Sequence, residues 1–242
     1  MARRIRRNRR RPARKPRRRI PRGPKSTGSF TIIRRIPTAY LTGSNGAPGL
    51  PFWTGPASLL TLGTPVANPV YANIFAVPFA MSFSHEMLSQ YTELVGIADR
   101  YKINSVSVKV LYSANSLMGG PSGGSGFSTI VPTLSWVKDS DDAQPMTVSQ
   151  LQAKMGLKTK SLGNGKYISM KITPKVANPV YDGIVTAYSV PTKSQWINAS
   201  SSSVPHYGVK GYFNNWDLAD ATQVTSCFTF DISLNVSLKD LQ

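Results

Sequence analysis

Apolar side chains recur at every second position over much of this chain, the period of a strand that buries one face and shows the other to solvent. The clearest run covers 223–238, where Phe228, Phe230, Ile232, Leu234, Val236 and Leu238 alternate with Cys227, Thr229, Asp231, Ser233, Asn235 and Ser237. Nearer the middle, Phe75, Val77, Phe79, Met81 and Phe83 share one face of a strand, with small residues on the other. Pro78 has no N–H to offer a ladder, which places this strand at a sheet edge. The same pattern predicts strands at about 103–113, 128–138, 166–173, 183–190, 194–198 and 206–214, eight in all. Helical spacing is confined to two short stretches. One follows Ser84 and carries Met87, Leu88, Tyr91, Leu94 and Val95; the other starts at the capping box Thr147-Val148-Ser149-Gln150. Strands without βαβ alternation, joined by Gly- and Pro-rich loops, predict an all-β fold, an eight-stranded antiparallel jelly roll rather than a parallel sheet.

Two stretches lie outside this pattern. Residues 37–70 are punctuated by Pro37, Gly43, Gly46, Pro48, Gly49, Pro51, Gly55, Pro56, Gly63, Pro65 and Pro69, so 26–70 reads as an ordered connector leading into a shell domain at 71–242. Residues 1–25 have almost no apolar side chains and hold Arg3, Arg4, Arg6, Arg7, Arg9, Arg10, Arg11, Arg14, Lys15, Arg17, Arg18, Arg19, Arg22 and Lys25, broken by Pro12, Pro16, Pro21 and Pro24. Like charges repel, prolines delete backbone donors, and nothing apolar offsets the entropy of ordering. The expectation is an arm that stays disordered until it meets a polyanion.

Charge sharpens this division. The arm holds 14 of the 29 Lys and Arg residues and none of the 11 Asp and Glu, which leaves the other 217 residues with a net charge of only +4. Each cation that neutralises a phosphate releases condensed counterions, so such an arm binds nucleic acid strongly, without regard to sequence, and in a salt-sensitive way. The arm's 12 arginines against 2 lysines suit forked bonds to phosphate and stacking on unpaired bases. Import into the nucleus is a second use of the same charges. Membrane binding is disfavoured, because the arm has no apolar face, and no stretch of the chain approaches the length of an apolar span or a signal-peptide core. A soluble, unsecreted protein is expected, and the two sequons at Asn198 and Asn235 then read as chance.

Other candidate chemistry recedes on inspection. The run Gly119-Gly120-Pro121-Ser122-Gly123-Gly124-Ser125-Gly126 lacks the Lys-Ser or Lys-Thr pair of a phosphate loop and reads as a surface loop. Asp139, Asp141 and Asp142 lack the remaining ligands of a calcium loop. His85, His206 and the single Cys227 are too few for a zinc site; Cys227 reads as a small buried side chain and the histidines as ordinary polar residues. Trp53, Trp136, Trp196, Trp216, Tyr167 and Phe213 lie within apolar patterns and read as core or subunit-interface packing in preference to base-stacking platforms. No catalytic residue, metal ligand or cofactor is nominated.

With the strands placed, the chain resembles the capsid proteins of circular single-stranded DNA viruses, the circovirus and cyclovirus-like group. The resemblance rests on the Arg/Pro arm, the segment Tyr101-Lys102-Ile103-Asn104-Ser105-Val106-Ser107-Val108-Lys109-Val110, the acidic loop Asp139-Ser140-Asp141-Asp142, the strand end Ile172-Thr173-Pro174-Lys175, and Gly208-Val209-Lys210-Gly211-Tyr212-Phe213 followed by the 223–238 strand. It implies a jelly-roll subunit, a homo-oligomeric icosahedral shell of about sixty copies and an inward arm that packages a circular single-stranded DNA genome; the host's nuclear import machinery is a further expected partner, from the charges of the arm, and no host receptor is named. Virion and host nucleus are the implied locations. The Gly-rich run at 119–126 and the long connector depart from the better-known circoviral members. The competing readings are a coat protein of a small RNA virus or satellite, a nuclear single-strand-binding or architectural protein, and a nuclease, which would need clustered carboxylates or histidines.

Overall fold

The computed structural model describes residues 29–43, 50–70, 74–114, 131–163, 166–176, 178–182, 185–189, 195–218 and 226–241. In chain order the described strands are β1 (Ser29–Arg35), β2 (Ala39–Gly43), β3 (Pro51–Trp53), β4 (Leu60–Leu62), β5 (Val66–Ala67), β6 (Ile74–Phe83), β7 (Ala98–Ala114), β8 (Thr133–Lys138), β9 (Lys158–Ser161), β10 (Tyr167–Ile172), β11 (Asn178–Asp182), β12 (Val185–Ser189), β13 (Ile197–Asn198), β14 (His206–Asp217) and β15 (Ser226–Leu241). Two short helices, α1 (Tyr91–Ile97) and α2 (Val148–Gln152), complete the set with a 3₁₀ turn at His85–Met87. None of the described helices is long and apolar enough to cross a membrane.

Eight strands carry the architecture, in the orders β10-β7-β15-β2 and β6-β14-β8-β9, with every pairing antiparallel. Along the chain the first of these, β2, pairs with the last, β15; the second, β6, with β14; the third, β7, with β10; and the fourth, β8, with β9. A long hairpin folded over on itself gives this nesting, and the protein is a jelly roll. β1, β3 and β13 extend the first sheet, β4 and β5 flank β6 in the second, and β11 and β12 form a hairpin of their own.

The jelly roll has eight strands, as predicted, among the fifteen described, but two of the predicted members are not part of it. The jelly roll uses β2 and β9, which the alternation did not reveal, while the predicted strands at 183–190 and 194–198 correspond to β12, half of the separate hairpin, and β13, a two-residue extension on β7. β9 reads Lys-Thr-Lys-Ser with all four side chains exposed, so as an edge strand it has no apolar face to show in sequence. β2 buries only Ala39 and Leu41. Within 26–70, read as a connector, the described residues supply β1 to β5, so much of that stretch is sheet. Its glycines and prolines punctuate very short strands.

Inward side chains of both sheets meet in one core. Phe228, Phe230, Ile232, Leu234, Val236 and Leu238 of β15 are all buried, as the alternation predicts. They pack with Phe79, Met81, Val106, Val108, Val110 and Phe213. On β7 the buried positions slip by one, from Tyr101 and Ile103 to Val106, Val108 and Val110. The ladder accommodates the slip with a bulge: Ser105 faces Asn235 and Ile103 faces Val236, leaving Asn104 unpaired. The Asn104 amide then donates to Asn235 Oδ1 at 3.0 Å and Ser237 Oγ at 2.7 Å.

The edge position expected from Pro78 is not found: β6 pairs with β14 on one side and with β4 and β5 on the other, and Pro78 lies opposite Tyr212 of β14. Its carbonyl accepts the Gly63 N–H at 2.8 Å on the other side, so the missing donor faces the gap between β4 and β5. The helical stretch after Ser84 is split into the 3₁₀ turn and α1, with Met87, Leu88 and Leu94 buried. The capping box at Thr147 forms as expected: Gln150 N–H donates to Thr147 Oγ1 at 3.3 Å, and Thr147 N–H donates to Gln150 Oε1 at 3.0 Å.

Candidate nucleic-acid interface

All fourteen cations of the arm, from Arg3 to Lys25, lie outside the described residues, as does the Gly-rich run at 119–126. What the fold does define is where the arm joins. β1 begins at Ser29 and runs antiparallel along β15, from Ser29 opposite Lys239 to Arg35 opposite Ser233. Thr31 and Ser237 share a hydroxyl hydrogen bond at 2.8 Å across that pairing. The arm is therefore attached to one edge of the first sheet, near Arg100 and Lys102, which face Lys239 and Ser237 from β7.

The two outer surfaces of the sandwich differ. Over the second sheet, α2 lays Leu151 against Val137 and Tyr212, with Ala76, Met146, Val148 and Leu157 packed around them, so a small second core covers this face. On the first sheet the outward side chains of β7, β10 and β15 stay exposed or half-exposed. Small polar groups dominate there: Ser107, Ser169, Thr229, Ser233, Asn235 and Ser237. Arg35, Arg100, Lys102, Lys109, Lys171 and Lys239 rise among them, against Asp231 and Asp240. Asp240 lies 3.6 Å from Arg100 and 3.9 Å from Lys239. Cys227 is half-buried at one end of this polar face and not in the core, because it occupies the outward phase of the β15 alternation.

The aromatic candidates divide between core and surface. Trp216 and Phe213 are fully buried, Trp136 nearly so, and Trp53 packs edge-on against Phe230 at 5.2 Å. Tyr167 and Trp196 are not in the core of the subunit but 64% and 39% exposed on it. Each has an ammonium beside its ring: Lys109 Nζ lies 5.5 Å from the Tyr167 centroid and Lys102 Nζ 5.8 Å from that of Trp196. Lys102 points outward because its neighbours Tyr101 and Ile103 point into the core. The alternation of β7 carried that signal, whereas the pairing with Trp196, almost a hundred residues away, had none.

The acidic loop is held by lysines. Lys210, only 2% exposed, sits 2.6 Å from Asp142 Oδ1 and 3.9 Å from Asp139 Oδ1, and Lys154 reaches Asp139 Oδ2 at 3.3 Å. Burial pushes the Asp139 carboxyl up, but the Asp141 N–H and the two ammonium groups outweigh it and hold this acid below its usual range. Among the described residues no three His, Cys, Asp or Glu side chains gather as metal ligands. The histidines are less ordinary than their sequence suggests. His85 stacks on Tyr101 at 4.5 Å with neither ring nitrogen hydrogen-bonded, and His206 Nδ1 lies 3.0 Å from the Val204 carbonyl. Burial pushes both imidazoles down to about 4.

Comparison with known proteins then decides the family. The model for circovirus capsid protein matches residues 2–242. The chain belongs to the circovirus capsid proteins. None of the curated proteins compared with it matches in sequence. Among solved structures, the crystal structure of the 60-mer BFDV capsid protein is similar, at 12% identity and a TM-score of 0.51, covering 88% of this chain and 93% of that one. The decameric BFDV capsid protein is 12% identical with a TM-score of 0.43, covering 87% and 98%. At such identity the first likeness speaks for the fold alone, and it agrees with the strand nesting described above. As a member of a capsid family the protein is a structural component of the virion. The sandwich, its polar first face and the joining point of the arm are thus features of a shell subunit.

Proposed function

We propose that this capsid protein assembles into a closed shell of about sixty copies and packages a single-stranded DNA genome through residues 1–25, which also direct the protein to the host nucleus. The observation that carries this reading is the separation of charge from fold. Fourteen cations and no anion precede the first strand, while the remaining residues carry a net of only +4. The 60-mer formed by the BFDV capsid protein supports the copy number. Sixty arms would bring about 840 positive charges inside, enough to neutralise a large part of a genome of roughly one to two thousand nucleotides. Arginine supplies most of that charge, and its planar fork matches a phosphate while its flat face stacks on unpaired bases. The arm acts as tether and counterion, and the jelly roll acts as wall.

Removing residues 1–25 tests this division. The truncated protein should unfold at nearly the same temperature as the full chain, lose most of its nucleic acid as read from the absorbance ratio at 260 and 280 nm, and fail to accumulate in nuclei. Unchanged nucleic-acid content would refute the role given to the arm.

A further inference from the structure

We propose that the open outer face of the first sheet is a second binding surface for the packaged single-stranded DNA, with Tyr167 and Trp196 stacking on bases and Lys102, Lys109 and Lys171 meeting the phosphates. This rests on the packaging reading above and adds an orientation to it: the face formed by β10, β7 and β15 looks into the shell. Three independent features of the face converge on that ligand.

The first is the pairing of exposed rings with ammonium groups. Tyr167 and Trp196 are 64% and 39% exposed, and each has a lysine Nζ within 5.8 Å of its ring. A ring beside a cation is the unit that binds single strands without regard to sequence, because every base has a π-face and every nucleotide carries a phosphate. The second sheet offers no such unit at the corresponding place: exposed Lys158 lies opposite Trp136 in the ladder, but that ring is buried.

Charge and texture supply the second feature. Six cations, Arg35, Arg100, Lys102, Lys109, Lys171 and Lys239, share the face with two acids, Asp231 and Asp240. Between them lie serines, threonines and asparagines, short hydrogen-bonding groups that leave the sheet low and let an extended strand lie across it. The third feature is the arm itself, which joins at Ser29 opposite Lys239. DNA gripped by the arm is delivered to the edge of this face, so the two surfaces act as one continuous path.

Photocross-linking of the full-length protein to a single strand containing bromodeoxyuridine tests the proposal. The arm contains no Phe, Tyr or Trp, so aromatic cross-links report the folded part. Cross-links mapped by mass spectrometry should fall on Tyr167 and Trp196; a map that avoids both overturns the proposal. In a salt titration, Tyr167→Ala and Trp196→Ala should each weaken binding by about tenfold without changing the log-log slope. Lys102→Gln and Lys109→Gln should each lower that slope by about 0.7. Tyr167→Phe and Trp196→Phe, which keep a ring, should restore the affinity. Unchanged affinity in the alanine variants overturns the proposal while leaving the arm's role intact. Loss of assembly with undiminished DNA binding would mark the face as a contact between subunits, which also overturns it. If the unaltered protein binds no single strand even at low salt, the packaging reading itself falls, and this one with it.

Discussion

Replacing Lys210 with methionine keeps the apolar stem of the side chain in place and removes only its charge. Lys210 is almost fully buried, and its ammonium lies 2.6 Å from Asp142 and 3.9 Å from Asp139, whose side chain is 5% exposed. Removing one partner of a buried ion pair leaves the other charged and unsolvated, at a cost of about 3–5 kcal/mol. Lys154 still reaches Asp139 at 3.3 Å from a side chain that is 42% exposed, so the lower end, about 3 kcal/mol, is expected. For a domain of this size each kcal/mol shifts the melting temperature by about 2–4 °C, which gives a loss of about 6–12 °C at neutral pH. The pH dependence identifies the cause. In the native protein Asp139 is held below its ordinary value, so its stabilising contribution is present above about pH 4 and is lost as pH falls through the lowered value. Without Lys210 one of the groups that lower Asp139 is gone, so the carboxyl takes its proton at a higher pH than in the native protein, and the penalty shrinks once it is neutral. Thermal unfolding followed by near-UV circular dichroism should therefore show a large gap between native and Lys210→Met protein at neutral pH and a smaller one in acid. A shift under about 2 °C, or one equal at both pH values, would refute the reasoning. Asp139→Asn added to Lys210→Met should recover part of the loss, because the stranded charge is gone.

Phe228 packs 4.5 Å from Phe213, 4.8 Å from Trp216 and 5.2 Å from Tyr112, so Phe228→Ala should lower stability by about 3–5 kcal/mol, read as a lower denaturation midpoint. His85 and His206 are held near 4 in the fold against an ordinary value of 6.5. The unfolded chain binds their protons first, so stability is whole above about pH 6.5 and drains away as pH falls towards 4, by up to about 3 kcal/mol for each histidine. His85→Phe preserves the stack on Tyr101 and removes one titrating group, so its acid-unfolding midpoint should move to lower pH; an unchanged midpoint in an acid titration would contradict this.

What the sequence shows is what alternation can encode. β15 and β7 are long, central and buried on one face, and their apolar positions declare them; even the one-residue slip at Asn104 is visible as a break in the period. The edge strand β9 has no buried face and so leaves no trace. β2 has too few residues to establish a period, and the prolines around it suggest a connector. Contacts between distant segments were equally silent, for Lys210 and Asp142 stand 68 residues apart and look like an ordinary surface cation and an ordinary acidic loop. Tyr167 and Trp196 were visible as aromatics, but their exposure follows from the sheet face on which they fall, and an apolar neighbourhood in sequence does not separate a core position from an outer one.

The central claim, a shell that carries nucleic acid on its arms, is tested most directly by the mass of the particles that the purified full-length protein forms. Sixty chains of 26.4 kDa give about 1.6 MDa of protein, and the account predicts a single closed species of that mass plus an excess of nucleic acid that disappears when residues 1–25 are removed. A protein that stays monomeric or dimeric across salt and pH, or particles whose excess mass survives loss of the arm, would contradict it.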